Sequence, residues 1–199
     1  MSFASVRESY GARADEYIAA VGGIEHLAAA DTALIERWAR DLNGPVLDVG
    51  CGPGQWTHLF TGLGVDASGV DPVPEFVERA RASYPAGRYR VGRAESLDVA
   101  DASLGGVLAW YSLIHTEPSA IGEALTEFAR CIRPGGGLAL GFFTGAELAP
   151  FDHAITTAYF WPVELLQREV EAAGFTVTHT EQRTDRPNRA HAALLGVRV

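Results

Sequence analysis

The run from Val46 to Thr57, Val-Leu-Asp-Val-Gly-Cys-Gly-Pro-Gly-Gln-Trp-Thr, constrains this chain more than any other stretch. Val46-Leu47 and Val49 read as a short buried strand. Gly50, Gly52 and Gly54 follow at alternate positions. Residues without a side chain at that spacing let the backbone turn sharply and approach a ligand closely. Trp56, Leu59 and Phe60 then recur at helical spacing, so a helix is expected from Gln55. Strand, glycine loop and helix N-terminus in succession make a cradle for a nucleotide-like ligand. Main-chain N–H groups and the helix dipole are directed at it.

Two residues narrow the ligand. A dinucleotide fingerprint needs a third glycine three residues after the second, and Gln55 stands there. Asp48 instead puts a carboxylate two residues before the first glycine, where it orients the loop and faces a cationic ligand, directly or through water. S-adenosyl-L-methionine, with its ammonium and sulfonium groups, suits that arrangement. The run Asp-Val-Gly-Cys-Gly-Pro-Gly resembles the first motif, Asp-x-Gly-x-Gly-x-Gly, of class I S-adenosylmethionine-dependent methyltransferases. The resemblance implies an α/β, Rossmann-like fold: a mostly parallel seven-stranded sheet with an antiparallel C-terminal strand and helices on both faces. It also implies S-adenosyl-L-methionine as cofactor and S-adenosyl-L-homocysteine as product, with Gly50, Cys51 and Gly52 contributing loop contacts.

Further motifs follow in the expected order. After a helix ended by Gly64, Ala67 to Val70 reads as a second strand with Asp71 at its end. An acidic group there can accept both ribose hydroxyls of an adenosine. It can equally cap the helix expected from Glu75 to Ser83, since Pro72 and Pro74 follow. Pro72 is included among the cofactor contacts. Arg88 to Val91 reads as the third strand, followed by Gly92-Arg93-Ala94-Glu95-Ser96-Leu97. That run resembles the family's adenine-edge motif but carries Arg93 where the first acidic residue is usual. The Ala94 amide can donate to the adenine ring, whereas Glu95 is either the acceptor for the exocyclic amine or an ordinary surface carboxylate. The family often has an aspartate just before the fourth strand, and Gly105 stands there. Val107 to Ala109 reads as that strand. Trp110, Tyr111 and His115 lie at its carboxyl end, where ligands bind in open parallel sheets. The run Leu-Ala-Trp-Tyr-Ser-Leu-Ile-His is similar to a group of small actinobacterial-type methyltransferases.

The ends of the chain supply the remaining candidates. Residues 1–43 are expected to form a helical lid, 44–143 the cofactor-binding core, 144–161 a substrate cap, and 162–199 a final helix and strands, all in one domain. Ser9 to Tyr17 resembles lids that fold over the cofactor. Tyr10 is expected at the cofactor and Tyr17 at the substrate, the alternative being an amphipathic helix packed on the sheet. Ile121 to Arg133 is amphipathic, and Pro134-Gly135-Gly136-Gly137 is expected to end it before a strand from Leu138 to Phe143. Thr144 to Trp161 is irregular and aromatic-rich, as a water-excluding cap would be. It supplies His153, Tyr159 and Trp161. Phe175 to Gln182 and Ala190 to Val199 read as two antiparallel strands.

Methyl transfer from a sulfonium needs alignment and, for some acceptors, a base. His115 is the first candidate for that base and His153 the second, since a histidine titrates in the right range. A histidine at a strand end can instead simply hydrogen-bond the backbone. Asp152-His153 lacks a close further ligand, so no metal site is expected. The formal net charge of −9 argues against a nucleic-acid partner. No apolar run has the length of a membrane span. Two cysteines are too few for a disulfide framework, and no signal peptide is apparent, so a cytoplasmic location is expected. Trp110-Tyr111-Ser112-Leu113 lacks the Asn/Asp-Pro-Pro-aromatic signature of enzymes that methylate amino groups of bases or glutamine. The reading is a methyltransferase acting on a small molecule, on oxygen first, as a monomer or homodimer. The alternatives are a cyclase or rearrangement enzyme on the same fold, in which the sulfonium acts as a fixed charge, and a non-catalytic cofactor-binding protein.

Overall fold

The computed structural model describes residues 9–14, 16, 18, 23–24, 27–184 and 189–199. The expected substrate contact at Tyr17 lies outside them. Residues 9–12 are helical. The elements that follow are α1 (Ala29–Asp41), β1 (Val46–Val49), α2 (Gln55–Gly62), β2 (Ala67–Asp71), α3 (Pro74–Ser83) and β3 (Tyr89–Val91). Then come β4 (Leu104–Trp110), a short 3-10 turn (Pro118–Ala120), α4 (Ile121–Cys131) and β5 (Ile132–Phe143). The last are β6 (Ala149–Asp152), β7 (Thr157–Phe160), α5 (Val163–Ala172), β8 (Phe175–Arg183) and β9 (His191–Arg198). Among the described residues no helix is long and apolar enough to cross a membrane.

Seven strands form one sheet in the order β3-β2-β1-β4-β5-β9-β8. The pairs from β3 to β5 are parallel, and β9 alone runs antiparallel to both its neighbours, β5 and β8. This is the Rossmann-like sheet that the glycine motif implies. Strands buried on both faces need apolar residues in succession rather than in alternation, and all four residues of β1 are buried. On one face α1 and α2 bring Ile35, Trp38 and Phe60 against Val46, Leu108 and Ala139. On the other, α4 and α5 bring Leu125, Phe128, Leu166 and Val170 against Leu47, Val107, Leu138 and Leu194.

Two local features differ from expectation, and a third, the glycine before β4, has a steric reason. Strand β5 begins at Ile132, not Leu138: Leu104 pairs with Ile132 and Gly106 with Gly137. The Pro134-Gly135-Gly136 step is therefore looped out of a continuing strand, with Gly135 at φ +79°. A side chain at Gly137 would stand 2.7 Å from Nε1 of Trp38, so α1 can pack there only over glycine. Gly105 answers to the same kind of constraint. A Cβ there would lie 2.6 Å from the main-chain oxygen of Asn43, so no aspartate fits. Finally, Thr144 to Trp161 is not irregular. It contains an antiparallel hairpin, with Ala149 opposite Phe160 and Phe151 opposite Ala158. Phe151 stacks on Phe160 at 4.1 Å. The hairpin is tied to the end of β5 by Trp161 N–H donating to the Phe143 carbonyl and by Thr144 Oγ1 donating to the Trp161 carbonyl.

Candidate functional site

The strand order reverses between β1 and β4, and the loops leaving their carboxyl ends meet there. Gly50 and Cys51 donate their N–H groups to the Val70 carbonyl, at 2.7 and 3.1 Å, which folds the glycine loop back on β2. Gly50 has φ +72°, and a side chain on it would overlap that of Ser112. Opposite, Tyr111 has φ +56° and donates its N–H to the Gly141 carbonyl. A bulky residue in the left-handed region costs of order 1–3 kcal/mol, and the sharp turn it makes sends Ser112 across Gly50.

Two buried carboxylates hold this junction. Asp48, 1% exposed, accepts both the N–H and the hydroxyl of Thr57, at 3.1 and 2.7 Å. It thereby satisfies a donor at the start of α2 from the strand behind it. Burial pushes its pKa up to about 7 even though the Thr57 bonds favour the charged form. Asp71, 5% exposed, accepts the Gly52 N–H on one oxygen and the Val73 N–H on the other, at 2.8 and 2.9 Å. Burial raises it to about 6 against those two bonds. Asp71 thus clamps the glycine loop to the turn entering α3. Its pairing with Val73 puts the capping bond on the residue before Pro74.

Beside this junction lies a cleft of about 230 Å³. One wall is Val49, Gly50, Val70, Pro72 and Gly92 to Glu95. The other is Ser112, Leu113, His115, Thr116 and Glu117, with Ala120 and Glu123 beyond. Arg93 and Glu95 pair across the rim at 3.3 Å. Ser112 Oγ is buried without a hydrogen-bond partner among the described residues.

His115 is the best-defined polar group of the cleft. It is 8% exposed. Nδ1 lies 2.7 Å from the Thr157 carbonyl, and Nε2 lies 2.8 Å from the Tyr10 hydroxyl. A carbonyl only accepts, so Nδ1 carries the proton, Nε2 carries the lone pair and Tyr10 donates to it. Burial lowers the pKa of His115, partly offset by the Thr157 bond. The imidazole is therefore neutral at pH 7 with a basic nitrogen held in a fixed direction. His153 lies edge-on at 5.2 Å between ring centres. Burial, then His115 and Arg189, push its pKa down to about 4, so it is the poorer proton acceptor of the two.

Two distant segments of the chain meet beside His115 and Glu117. Tyr10 packs against Phe76 of α3 and against His115. Arg13 donates to the Ala154 carbonyl in the turn between β6 and β7. Tyr159 donates its hydroxyl to Glu117 at 2.7 Å, and that bond holds its pKa up at about 12.

The structure divides the sequence-derived candidates. Gly50, Pro72, Ala94, Glu95 and His115 line the cleft together, and Tyr10 reaches His115. Asp48 and Asp71 lie behind the loop as its supports, and Gly52 sits over Asp71 with open space where a side chain would stand. The Cys51 side chain packs with Val77, Ala80 and Tyr89, away from the cleft. Trp110 meets Trp56 edge-on at 5.9 Å on the α2 face. The Tyr111 ring meets Phe143 and His191. Trp161 is 3% exposed in the core beneath α5, and Tyr159 meets the cleft only through Glu117. Reasoning from sequence missed Ser112, Glu117 and Glu123. The signal for Ser112 was its place in the run after β4; for the two glutamates there was none beyond proximity to His115.

Residues 46–136 match a family described as a methyltransferase domain. The chain is 36% identical over 102 residues to an uncharacterized methyltransferase of Mycobacterium tuberculosis, covering 51% of this chain and 41% of that protein. It is 30% identical over 109 residues to a malonyl-[acyl-carrier protein] O-methyltransferase of Pseudescherichia vulneris, covering 55% and 43%. The chain thus spans less than half the length of these relatives. Among solved structures, the Burkholderia thailandensis 1,6-didemethyltoxoflavin-N1-methyltransferase, with its substrate and S-adenosylhomocysteine bound, superposes with a TM-score of 0.80 at 21% identity. The match covers 98% of this chain and 88% of that one.

Proposed function

We propose that the chain is a class I S-adenosylmethionine-dependent methyltransferase and that it methylates an oxygen of a small-molecule acceptor with His115 as general base. The observation that carries the reading is the tautomer of His115. Thr157 fixes it so that Nε2 carries the lone pair, on a residue that lines the cleft with Gly50, Pro72 and Ala94.

The residues at the junction fit the cofactor. Gly52 leaves open space on the loop, and Ser112 Oγ is a buried hydroxyl with no protein partner among the described residues. Asp48 and Asp71 place two carboxyl groups behind the loop, whose ionised form a cationic ligand favours. In this reading Gly50, Gly52 and Ser112 hold the amino-acid end, Asp71 the ribose, and Pro72, Ala94 and Glu95 the adenine. The bound cofactor would supply a methyl group on a sulfonium, a good leaving group already in place. The chain's share is to align the acceptor, exclude water and take a proton. Alignment supplies on the order of 7–11 kcal/mol of such a barrier, and a placed base about 10²- to 10⁴-fold in rate. The net charge of −9 supports a small acceptor rather than a nucleic acid. The O-methyltransferase named among the relatives supports oxygen.

The test is twofold. Calorimetry with S-adenosylhomocysteine should give binding, and incubation of candidate acceptors with methyl-labelled cofactor should give labelled product. Product formed while the cofactor stays intact would replace this reading with fixed-charge chemistry. Binding without turnover of any acceptor would replace it with a cofactor-binding role.

A further inference from the structure

The lone pair of His115 is already taken, and by a chemically informative group. Tyr10 presents a phenol to Nε2 at 2.8 Å, with its ring edge-on to the imidazole at 5.4 Å and 69°. A base meant for proton removal gains nothing from a permanent internal donor. Among the described residues the segment bearing Tyr10 rests on the sheet through the Tyr10 ring against Phe76 and through Ala14, buried with Val73 and Phe76. Arg13 adds an exposed bond to the Ala154 carbonyl.

We propose that the acceptor is a small phenol, and that its hydroxyl replaces the Tyr10 hydroxyl on His115 Nε2. Tyr10 is the internal stand-in for the substrate, keeping water off the base until the acceptor arrives. The inference rests on His115 being the base and deepens that reading by naming the acceptor class.

Nε2 already accepts a phenol hydroxyl, that of Tyr10, at 2.8 Å. The cleft walls argue against the other acceptors. Glu95, Glu117 and Glu123 line it, and the one cation among the lining residues, Arg93, is paired with Glu95. A carboxylate acceptor brings no proton and would leave the Nε2 lone pair unused. An amine arrives as an ammonium near neutral pH and has no lone pair to offer until its proton has left. A phenol is neutral on arrival, and its oxygen keeps lone pairs while the hydroxyl donates to Nε2. Its aromatic body suits the apolar surface of Pro72, Ala94 and Leu113. In the transfer, the phenol oxygen bonds to the methyl carbon as the carbon–sulfur bond breaks. The sulfonium becomes a neutral thioether, and the phenol proton passes to Nε2. His115 ends as an imidazolium still donating from Nδ1 to Thr157.

The test compares 4-methylphenol, 4-methylbenzoate and 4-methylbenzylamine, three probes of one size, in equilibrium binding to the protein saturated with S-adenosylhomocysteine. In the wild type 4-methylphenol should bind tightest of the three. Tyr10→Phe keeps the ring on Phe76 and removes the competing hydroxyl. It should tighten 4-methylphenol about three- to tenfold, the worth of one hydrogen bond, and change the other two less than twofold. Tighter binding of the benzoate or the amine, or weaker 4-methylphenol binding in Tyr10→Phe, overturns the inference. Labelled-methyl assays separate it from the function it rests on. Transfer to the benzoate alone sinks the phenol and leaves the methyltransferase. The predicted binding pattern with no transfer to any acceptor leaves the stand-in and sinks the methyltransferase.

Discussion

At the scale of single residues, His115 and Asp71 carry different kinds of consequence. The imidazolium form of His115 has no lone pair, and burial holds its pKa below 6.5. The kcat/KM for a neutral acceptor should therefore be flat through pH 7 and fall only as pH drops below the ordinary histidine range. An acid limb centred above 6.5 would remove His115 from the role. His115→Ala should lower kcat by about 10²- to 10⁴-fold while S-adenosylhomocysteine affinity changes less than twofold. Asp71→Ala strands the Gly52 and Val73 N–H groups, each at about 1–3 kcal/mol, and should lower both melting temperature and cofactor affinity. Asp71→Asn keeps one acceptor oxygen and should recover part of the stability. If its S-adenosylhomocysteine affinity is also intact, Asp71 serves the loop and not the ribose. Both positions stood out in the sequence because strand ends beside a glycine loop are few. Their partners did not. Tyr10 is 105 residues from His115 and Thr157 is 42, and only the folded sheet brings such residues together.

At the scale of elements, the loop after β1 separates two uses of glycine. Gly50 lies against Ser112, and its φ of +72° already disfavours a side chain. Gly50→Ala must push the β1 and β4 loops apart, and it should destabilise the fold by more than the roughly 1 kcal/mol of an ordinary glycine-to-alanine change at positive φ. Gly52→Ala meets nothing within 4 Å at φ +53°. It should cost only the backbone strain of a left-handed residue, about 1–2 kcal/mol, and most of the S-adenosylhomocysteine affinity. Equal effects of the two substitutions on melting temperature and on binding would erase the distinction. The alternating glycines were legible because few other residues adopt such backbone angles. The β6–β7 hairpin was not. Its strands have four residues each, and Phe151 and Phe160 find each other only across the ladder. The early start of β5 was hidden for a related reason. Pro134 to Gly136 is chemically a turn, and the bulge keeps it a turn while the strand continues on either side.

At the scale of the whole molecule, stability should depend on pH in an uncommon direction. Asp48 and Asp71 are both raised by burial, to about 7 and about 6, from 3.8. Between pH 4 and pH 7 the folded chain therefore holds more protons than the unfolded one, and unfolding free energy falls as pH rises through that window. Each unit of displacement corresponds to about 1.4 kcal/mol. Asp48→Asn, whose side-chain oxygen can still accept from Thr57, should flatten the decline of the urea midpoint between pH 4 and pH 7. An identical slope in the variant would mean that Asp48 is not its source. The same buried pair makes the empty protein a proton reservoir. A cationic ligand settling on the loop lowers the proton affinity of both carboxylates, so uptake near pH 6.5 must expel hydrogen ions into the medium. The heat of binding will then differ between phosphate and Tris by the difference in their ionisation enthalpies, and the two buffers will agree again above pH 8.5.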